Sequence, residues 1–338
     1  MQSPYELLVL AGDDVARLLP MCDCIDIMAA TLAGLAAENA VQPLRTVIAL
    51  PDGRGSLYTM PAHAGSPPAL AVKLVTVFPG NESGPLPTHQ GVVVLFDAAD
   101  GRPVALIDAA EVTAIRTAAV SAVATSALAN GDAGDLALIG AGVQARTHLE
   151  AMLAVRPIRR VRVWSRTADR AHAFAQRESR RHGIRIEPVA GPGEAVDGAD
   201  LICTVSAASS PVIHGDRIAA GAHINAVGAS TSGTRELDTT TIVRARVFVD
   251  QIEAALAEAG DLILPIRERA IGPDHILGAL GGVLAGAIDG RIARDDITVF
   301  KSLGLAVEDA AAAGLLYERA SAGPLRAPSV RMPPRTSD

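Results

Sequence analysis

Cysteine, aromatic residues and lysine are all scarce in this chain of 338 residues. The three cysteines, Cys22, Cys24 and Cys203, suggest no disulfide framework and form no C-x-x-C pair, which is typical of a protein of the reducing cytoplasm. Aromatic residues make up 3% of the chain and the net charge is -7, whereas nucleic-acid-binding proteins need a basic face and stacking platforms. We therefore expect a cytoplasmic protein with no nucleic-acid partner.

Long apolar runs and clusters of metal ligands are missing as well. No apolar run reaches membrane-spanning length, and the run from Leu7 to Ala11 is too short for a secretory signal and lacks a basic flank. Cys22 and Cys24 could ligate a metal, but no further Cys/His cluster at ligand spacing joins them, so we interpret them as packing residues. The sequence predicts neither a membrane partner nor a metal site.

Lysine occurs twice among thirty basic residues, at Lys73 and Lys301. Where arginine serves as the general cation, a remaining lysine indicates a need for a compact charge or for an amine that can lose its proton, and chance is the alternative. Lys73 lies in an apolar strand segment, where alternation directs its ammonium into a partly dry pocket and desolvation lowers its pKa. Lys301 is expected at the start of the last predicted helix, where its only role would be to form an ion pair.

The most informative stretch is a glycine-rich turn between a predicted strand and a predicted helix. Four apolar residues, 136–139, precede it, and residues 146–155 continue with helical periodicity. This order is the context that a dinucleotide-binding G-x-G-x-x-A motif requires, because the turn lets a pyrophosphate approach a helix N-terminus. A plain strand–helix turn is the alternative. The motif consists of Gly140, Ala141, Gly142, Val143, Gln144 and Ala145.

The end of the next strand, Arg160 to Trp164, indicates which dinucleotide binds. An NAD site has an acidic residue there for the ribose 2′-hydroxyl, but this chain has Ser165, Arg166 and Thr167. Arg166 can pair with a 2′-phosphate and Thr167 can donate a hydrogen bond to it. We therefore predict NADPH as the preferred cofactor and NADH as the alternative, unless Arg166 is only a surface residue on a turn.

The hydrophobic pattern predicts an α/β protein. Two helices are expected from about Leu7 to Ala40, then an antiparallel sheet of short β-branched runs, and a helix from Asp108 to Asn130. Six strands alternating with helices then predict a Rossmann-type, doubly wound parallel sheet. A long amphipathic helix from Ile297 to Ser321 closes the pattern, and the proline-rich tail from Pro324 to Asp338 is expected to fray.

Several segments spread over nearly the whole chain are together specific for one family. The chain resembles the ornithine cyclodeaminase and mu-crystallin family. The segments that carry the resemblance are Lys73 to Val75, Pro87 to Gln90, Arg116 to Ser121, Ile139 to Ala145, His223 to Ser230, Arg235 to Asp238 and Thr298 to Asp309.

The resemblance implies two domains, a homodimer and a set of site residues. Residues 1–115 with 305–338 would form an α+β substrate-binding and dimerisation domain, and residues 116–304 the NAD(P)-binding Rossmann domain. Arg45 would grip a substrate carboxylate, and Lys73 would stand beside the reacting carbon; both are the expected catalytic residues. Further substrate contacts are expected from Met60, Ser230 and Leu303. Cofactor contacts are expected from Thr88, His89, Arg116, Thr117, Gly140, Ala141, Gly142, Val143, Gln144, Ser165, Arg166, Thr167, Thr204, Val205, Ser206, Val227 and Ser302.

One departure from the cyclodeaminase pattern favours a particular activity. Cyclodeaminases of this family have an aspartate general base where this chain has Ser230, and an unactivated hydroxyl is a poor base near neutral pH. The segment Val227 to Ser230 resembles the mu-crystallin branch instead. We predict NAD(P)H-dependent reduction of Δ1-pyrroline-2-carboxylate to proline and of Δ1-piperideine-2-carboxylate to pipecolate. An ornithine cyclodeaminase, an alanine-type dehydrogenase and a non-catalytic small-ligand-binding protein are the alternatives.

Overall fold

A computed structural model of the chain describes residues 5–65, 67–323 and 328–332. The amino-terminal elements are β1 (Tyr5–Leu10), α1 (Gly12–Leu18), α2 (Met21–Ala36), β2 (Ala40–Val41), β3 (Thr46–Ala49), β4 (Ser56–Gly65), β5 (Pro68–Val77), β6 (His89–Phe96), β7 (Pro103–Asp108) and α3 (Ala109–Leu128). In the described residues no single helix is long and apolar enough to cross a membrane. Helices α1 and α2 together reach that length and apolar content, but the chain bends by 81° between them.

The remaining elements alternate between strands and helices. They are β8 (Asp135–Ile139), α4 (Val143–Val155), β9 (Arg160–Trp164), α5 (Ala168–His182), β10 (Ile186–Pro188), α6 (Pro192–Val196), β11 (Leu201–Thr204), β12 (His223–Ala226), α7 (Thr239–Arg244), β13 (Ala245–Val249), α8 (Ile252–Glu258), α9 (Gly260–Arg267), β14 (Ile276–Ala279), α10 (Leu280–Leu284), β15 (Ile297–Lys301), α11 (Ala306–Ala322) and β16 (Ser329–Met332).

The chain divides into two compact units. The first comprises Met1–Arg116 with Leu305–Asp338, and the second comprises Thr117–Gly304. This boundary lies one residue from the sequence-based one, while the functions assigned above to the two domains remain predictions.

The first unit is built on one sheet with strand order β16-β1-β7-β6-β5-β4-β2, and β3 also pairs with β4. The pairs from β4 to β7 are antiparallel, whereas β1 and β7 are parallel. Helix α11 packs on β4, β5 and β6. Its buried residues from Ala310 to Ala313 are small, and a Cβ added at Gly314 would lie 3.3 Å from Cβ of Ala69, so the helix approaches the sheet closely.

The second unit contains an eight-stranded parallel sheet with the order β10-β9-β8-β11-β12-β15-β13-β14. Its central strands are apolar and buried, as expected for a parallel sheet covered on both faces. The chain runs outward from β8 through β9 to β10, and then returns to the other side of β8 with β11 and β12. This is the doubly wound Rossmann-type α/β class predicted from the sequence, and its strand order reverses between β8 and β11.

Two sequence-based expectations of helices are wrong. A helix was expected from about Leu7, but β1 occupies residues 5–10 because it pairs with β7 and β16. The expected helix from Ile297 is instead β15 followed by α11, because residues 297–301 are buried between β12 and β13. Lys301 therefore ends a buried strand rather than beginning a helix.

The tail and the last strand of the second sheet also differ from expectation. Ser329–Met332, expected to fray, forms β16 against β1, while residues 324–327 and 333–338 lie outside the described residues. Strand β14 was not predicted; it pairs with β13 at the edge of the sheet. In each of these errors, pairing with a distant strand outweighs the local pattern.

Candidate functional site

The residues predicted to bind substrate in the first unit lie on two adjacent strands and directly before a third. Met60 of β4 is the Cα partner of Lys73 of β5. Arg45 directly precedes β3 and stands one residue beyond the Thr46–Thr59 pair, which brings it level with Met60. The guanidinium carbon of Arg45 lies 5.9 Å from the centre of the Tyr58 ring. The register of the sheet therefore aligns Arg45, Met60 and Lys73 across three strands.

Lys73 belongs to a buried group of two cations and two carboxylates, which we call the Lys73 cluster: Lys73, Arg116, Glu308 and Asp309. Lys73 Nζ lies 2.5 Å from Asp309 Oδ2 and 3.5 Å from Thr113 Oγ1. Arg116 Nε lies 3.0 Å from Asp309 Oδ1, and its Nη1 lies 3.0 Å from Glu308 Oε2. All four side chains are almost fully buried. The two positive charges balance the two negative ones, and an unpaired charge at this depth would destabilise the fold.

The environment of Lys73 makes its proton easier to remove than that of an ordinary lysine. Burial lowers the pKa of Lys73 from 10.5 to about 8, although the negative charge of Asp309 opposes the shift. Burial alone would raise the pKa of Asp309, but the charges of Arg116 and Lys73 outweigh it and hold that pKa below its ordinary value. The ammonium is therefore still charged near neutral pH and titrates close to it.

Glu308 and Asp309 are the polar residues of this cluster to which the sequence analysis assigned no role. They lie in the first turn of α11, where Glu308 Oε2 also accepts a hydrogen bond from the backbone N of Leu305 at 3.1 Å. The only feature of the sequence that could have indicated these two residues is an acidic pair beside small apolar residues. Such a pair is equally typical of an ordinary helix start, because carboxylates stabilise the helix dipole there.

Three residues of the first unit were expected to contact the cofactor. Thr88 Oγ1 and His89 Nδ1 lie 3.0 Å apart at the start of β6, and His89 is exposed. Arg116 was expected to contact the cofactor as well, but its guanidinium pairs with Glu308 and Asp309. Because both contacts are buried, Arg116 is tied to the Lys73 cluster.

In the second unit the glycine turn connects β8 to α4, as predicted. Gly140 has a φ of +130°, and a Cβ there would lie 2.7 Å from the carbonyl oxygen of Val205, so this position requires glycine. Gly142 is the N-cap of α4 and has no side chain to cap the helix. No atom of the described residues lies within 4 Å of a Cβ added at Gly142, so among them the space in front of this helix end is open. Both features suit an approaching pyrophosphate.

Two buried hydroxyls lie at the carboxyl edge of the same sheet. Thr204 ends β11, and Ser302 directly follows β15. Neither Thr204 Oγ1 nor Ser302 Oγ has a hydrogen-bond partner among the described residues, although both atoms are buried. Because buried polar groups are almost always satisfied, this edge of the sheet is suited to a polar ligand. The residues present therefore fit a dinucleotide.

The residues that follow β9 lie beside the glycine turn. The backbone N of Gly140 donates to the carbonyl of Trp164 at 2.8 Å, so Ser165 and Arg166 leave the sheet next to the turn. Arg166 and Thr167 are exposed, and Thr167 is the N-cap of α5. Asp169 belongs to the first turn of α5, so the residues directly after the strand, Ser165 to Thr167, include no carboxylate.

The other predicted contacts of the second unit are distributed over three loops and α3. Val205 and Ser206 follow β11, Val227 and Ser230 follow β12, and Leu303 follows β15. The backbone N of Val227 donates to the carbonyl of Thr204 at 3.0 Å, which holds the first two loops together. Thr117 is the first residue of the second unit and is buried in α3. The roles predicted for these residues in binding remain predictions.

Comparison with known proteins identifies relatives along almost the full length of the chain. A Delta(1)-pyrroline-2-carboxylate reductase of Bacillus cereus is 39% identical over 315 residues, which are 93% of this chain and 97% of the relative. The ketimine reductase mu-crystallin of Rattus norvegicus is 43% identical over 285 residues, which are 84% of this chain and 87% of the relative.

One solved structure has a closely similar fold. It is the Thermococcus litoralis Delta(1)-pyrroline-2-carboxylate reductase in complex with NADH and L-proline, which superposes with a TM-score of 0.91 at 38% identity and covers 93% of this chain and 98% of that one. The family model for the ornithine cyclodeaminase/mu-crystallin family matches residues 6–324. The chain therefore belongs to the ornithine cyclodeaminase/mu-crystallin family.

Proposed function

We propose that this protein is an NAD(P)H-dependent reductase of cyclic ketimine carboxylates. Δ1-Pyrroline-2-carboxylate, which gives proline, and Δ1-piperideine-2-carboxylate, which gives pipecolate, are the proposed substrates. The observation that carries the proposal is the buried Lys73–Asp309 ion pair, in register with Met60 and level with Arg45. Relatives over most of the chain are named for the same reaction type.

The substrate offers one carboxylate and one C=N bond, and the first unit has a cation for each. A guanidinium can bind a carboxylate with two parallel hydrogen bonds, which suits Arg45. An ammonium has three N–H donors, and Lys73 directs two of them to Asp309 and Thr113 among the described residues, which leaves one for the imine nitrogen. Arg45 therefore orients the substrate, and Lys73 holds a proton at the nitrogen.

The reaction adds one hydride and one proton across the C=N bond. When bound, the reduced nicotinamide supplies the hydride to C2 and is itself oxidised. The C=N double bond becomes a C–N single bond, and the ring nitrogen gains a proton. Lys73 is suited to supplying or holding this proton because its pKa of about 8 is close to neutral pH, whereas an arginine does not release one.

The second unit is proposed to bind the dinucleotide, with NADPH preferred over NADH. The glycine turn and the N-terminus of α4 would hold the pyrophosphate, and the hydroxyls of Thr204 and Ser302 would gain a partner. Arg166 and Thr167 stand after β9 where an NAD-specific site has a carboxylate. A 2′-phosphate would pair with Arg166 in a charge-assisted contact.

Ser230 favours the reductase over a cyclodeaminase. It is half-buried in the loop after β12, at the position where the cyclodeaminases that resemble this chain have an aspartate base. Without a carboxylate there, the attacking amine of ornithine loses its proton acceptor. Ketimine reduction needs no such base.

The protein is further proposed to be a cytoplasmic homodimer. Exposed apolar side chains gather at the edge of the first sheet, where Val41, Leu44, Val47 and Ile48 lie on and between β2 and β3. An apolar sheet edge of this kind is suited to a second copy of the chain. The free thiols of Cys22, Cys24 and Cys203 agree with a reducing compartment.

The direct test is consumption of NADPH and of NADH with each cyclic ketimine, compared with pyruvate plus amines. We expect turnover with both ketimines and faster turnover with NADPH. Lys73→Arg should lower kcat by roughly 10²-fold, the range for losing acid–base help, while cofactor affinity stays nearly unchanged. Saturable ligand binding without cofactor oxidation would instead identify a non-catalytic binding protein.

A further inference from the structure

One buried carboxylate connects two loops at the carboxyl edge of the second sheet. Glu236 Oε1 accepts hydrogen bonds from the backbone N of Ser206 at 2.7 Å and from its Oγ at 2.6 Å. Glu236 Oε2 accepts one from the backbone N of Gly228 at 2.7 Å. Ser206 belongs to the loop after β11 and Gly228 to the loop after β12, so a single side chain sets the spacing of the two loops.

The two loops meet so closely that only glycine fits at the contact. A Cβ added at Gly228 would lie 2.1 Å from the carbonyl oxygen of Ser206 and 2.6 Å from Glu236 Oε1. Glu236 itself is fully buried. A buried carboxylate that accepts three hydrogen bonds from two loops fixes their separation more tightly than backbone packing alone, because charge-assisted hydrogen bonds are strong and directional.

A second layer of charged residues holds Glu236 in place. Asp261 Oδ1 accepts from the backbone N of Glu236 at 2.8 Å and from that of Leu237 at 3.0 Å. Lys301 Nζ lies 3.0 Å from Asp261 Oδ2 and also donates to the carbonyl of Ala229, next to Gly228. The buried ammonium of Lys301 therefore connects Asp261 to the loop after β12.

The strand order indicates which half of a dinucleotide these loops would meet. In a doubly wound sheet the dinucleotide crosses the carboxyl edge where the strand order reverses, which here is between β8 and β11. The adenosine half belongs on the β8–β9 side, where Arg166 follows β9. The nicotinamide half then belongs on the β11–β12 side, where Glu236 connects the loops.

We propose that Glu236 is a positioning residue that sets the loops after β11 and β12 for the nicotinamide half of the cofactor, supported by Asp261 and Lys301. The inference rests on the proposed dinucleotide site and adds to it a residue that is not one of the proposed cofactor contacts. Glu236 acts through Ser206 and Gly228 and does not touch the cofactor. Its loss therefore weakens binding of the nicotinamide half and leaves the adenosine half unaffected.

The test compares the affinity of the whole dinucleotide with that of ADP, which lacks the nicotinamide half. Glu236→Gln replaces one acceptor oxygen by an NH2 group that faces an N–H donor, and Glu236→Asp shortens the side chain so that it no longer reaches both loops. We expect each variant to bind the preferred dinucleotide on the order of tenfold more weakly in fluorescence titrations. The affinity for ADP should not change in calorimetric titrations.

Glu178→Gln is the matched control. Glu178 is also a buried carboxylate of the second unit, but it pairs with Arg177 and lies 3.7 Å from His182 Nε2, both on its own helix, so both affinities should persist. The proposal is overturned if a folded Glu236 variant keeps the wild-type affinity for the dinucleotide, or loses affinity for ADP by the same factor. Wild-type protein that binds the dinucleotide but does not reduce ketimines would refute the proposed substrate alone.

Discussion

Replacing Asp309 by asparagine should move the pH range in which the enzyme works. Asp309 is the negative charge closest to Lys73, at 2.5 Å, and it opposes the effect of burial on the pKa of Lys73. The other charged groups that influence this pKa are Arg116, which lowers it, and Glu308, which raises it. Asp309→Asn removes the stronger of the two stabilising charges, and its amide NH2 group can face the ammonium as a second donor.

The expected shift follows from the charge that is removed. A neighbouring opposite charge changes a pKa by roughly 1–3 units, so the pKa of Lys73 should fall from about 8 to between about 5 and 7. If catalysis requires protonated Lys73, activity decreases as pH rises through this pKa, and the decrease begins at lower pH in the variant. At pH 7 the protonated fraction falls from about nine-tenths to between one-half and about one-hundredth.

The measurement is kcat for a cyclic ketimine from pH 5 to 10, with saturating reduced cofactor. Wild-type activity should fall on the alkaline side near pH 8, and that limb should move by 1 unit or more in Asp309→Asn. Asp23→Asn is the matched control, because Asp23 pairs at 2.5 Å with Arg319 of α11 in the same unit. A uniform loss of kcat with an unmoved alkaline limb would show that Asp309 acts only as a structural residue.

Three further predictions concern the second unit. Arg166→Ala should raise the KM for NADPH about tenfold or more and leave that for NADH nearly unchanged, since a charge-assisted contact contributes about 1.5–3 kcal/mol; an equal loss for both cofactors would contradict this. Because Ser230 replaces a carboxylate base, the wild type with ornithine and NAD should release no ammonia, and sustained production of proline and ammonia would refute that expectation. Lys301→Met should destabilise folding by about 3–5 kcal/mol, because it leaves the buried carboxylate of Asp261 without its cation; denaturant unfolding measures the change, and unaltered stability would argue against a structural ion pair.

The dinucleotide motif could be predicted from the sequence because its physics is local. A buried strand, a turn that requires Gly140 and a helix with an open N-terminus are consecutive in the chain. The same holds for Arg166, whose place follows from counting to the end of the next strand. The alternation in β5 likewise predicted the burial of Lys73 and the downward shift of its pKa, and both agree with the structure.

Secondary structure was wrongly predicted where distant strands decide it. The pairing of β1 with β7 and β16 satisfies the backbone groups of this segment. Ile297–Lys301 precedes α11 with four residues between them, and its position between β12 and β13 makes it a strand. Pairing of this kind depends on which strands become neighbours, and periodicity along one segment contains no such information.

The sequence by itself determined the doubly wound sheet, the glycine turn, the burial of Lys73 and the family resemblance, because each depends on residues that are close in the chain or on a recurring motif. Only the tertiary structure decided which charges meet. Asp309 reaches Lys73 from a helix at the other end of the chain, and Glu236 connects the loops after two neighbouring strands. An ion pair between distant segments is a consequence of packing, so the electrostatics of both clusters emerge only when the chain is folded.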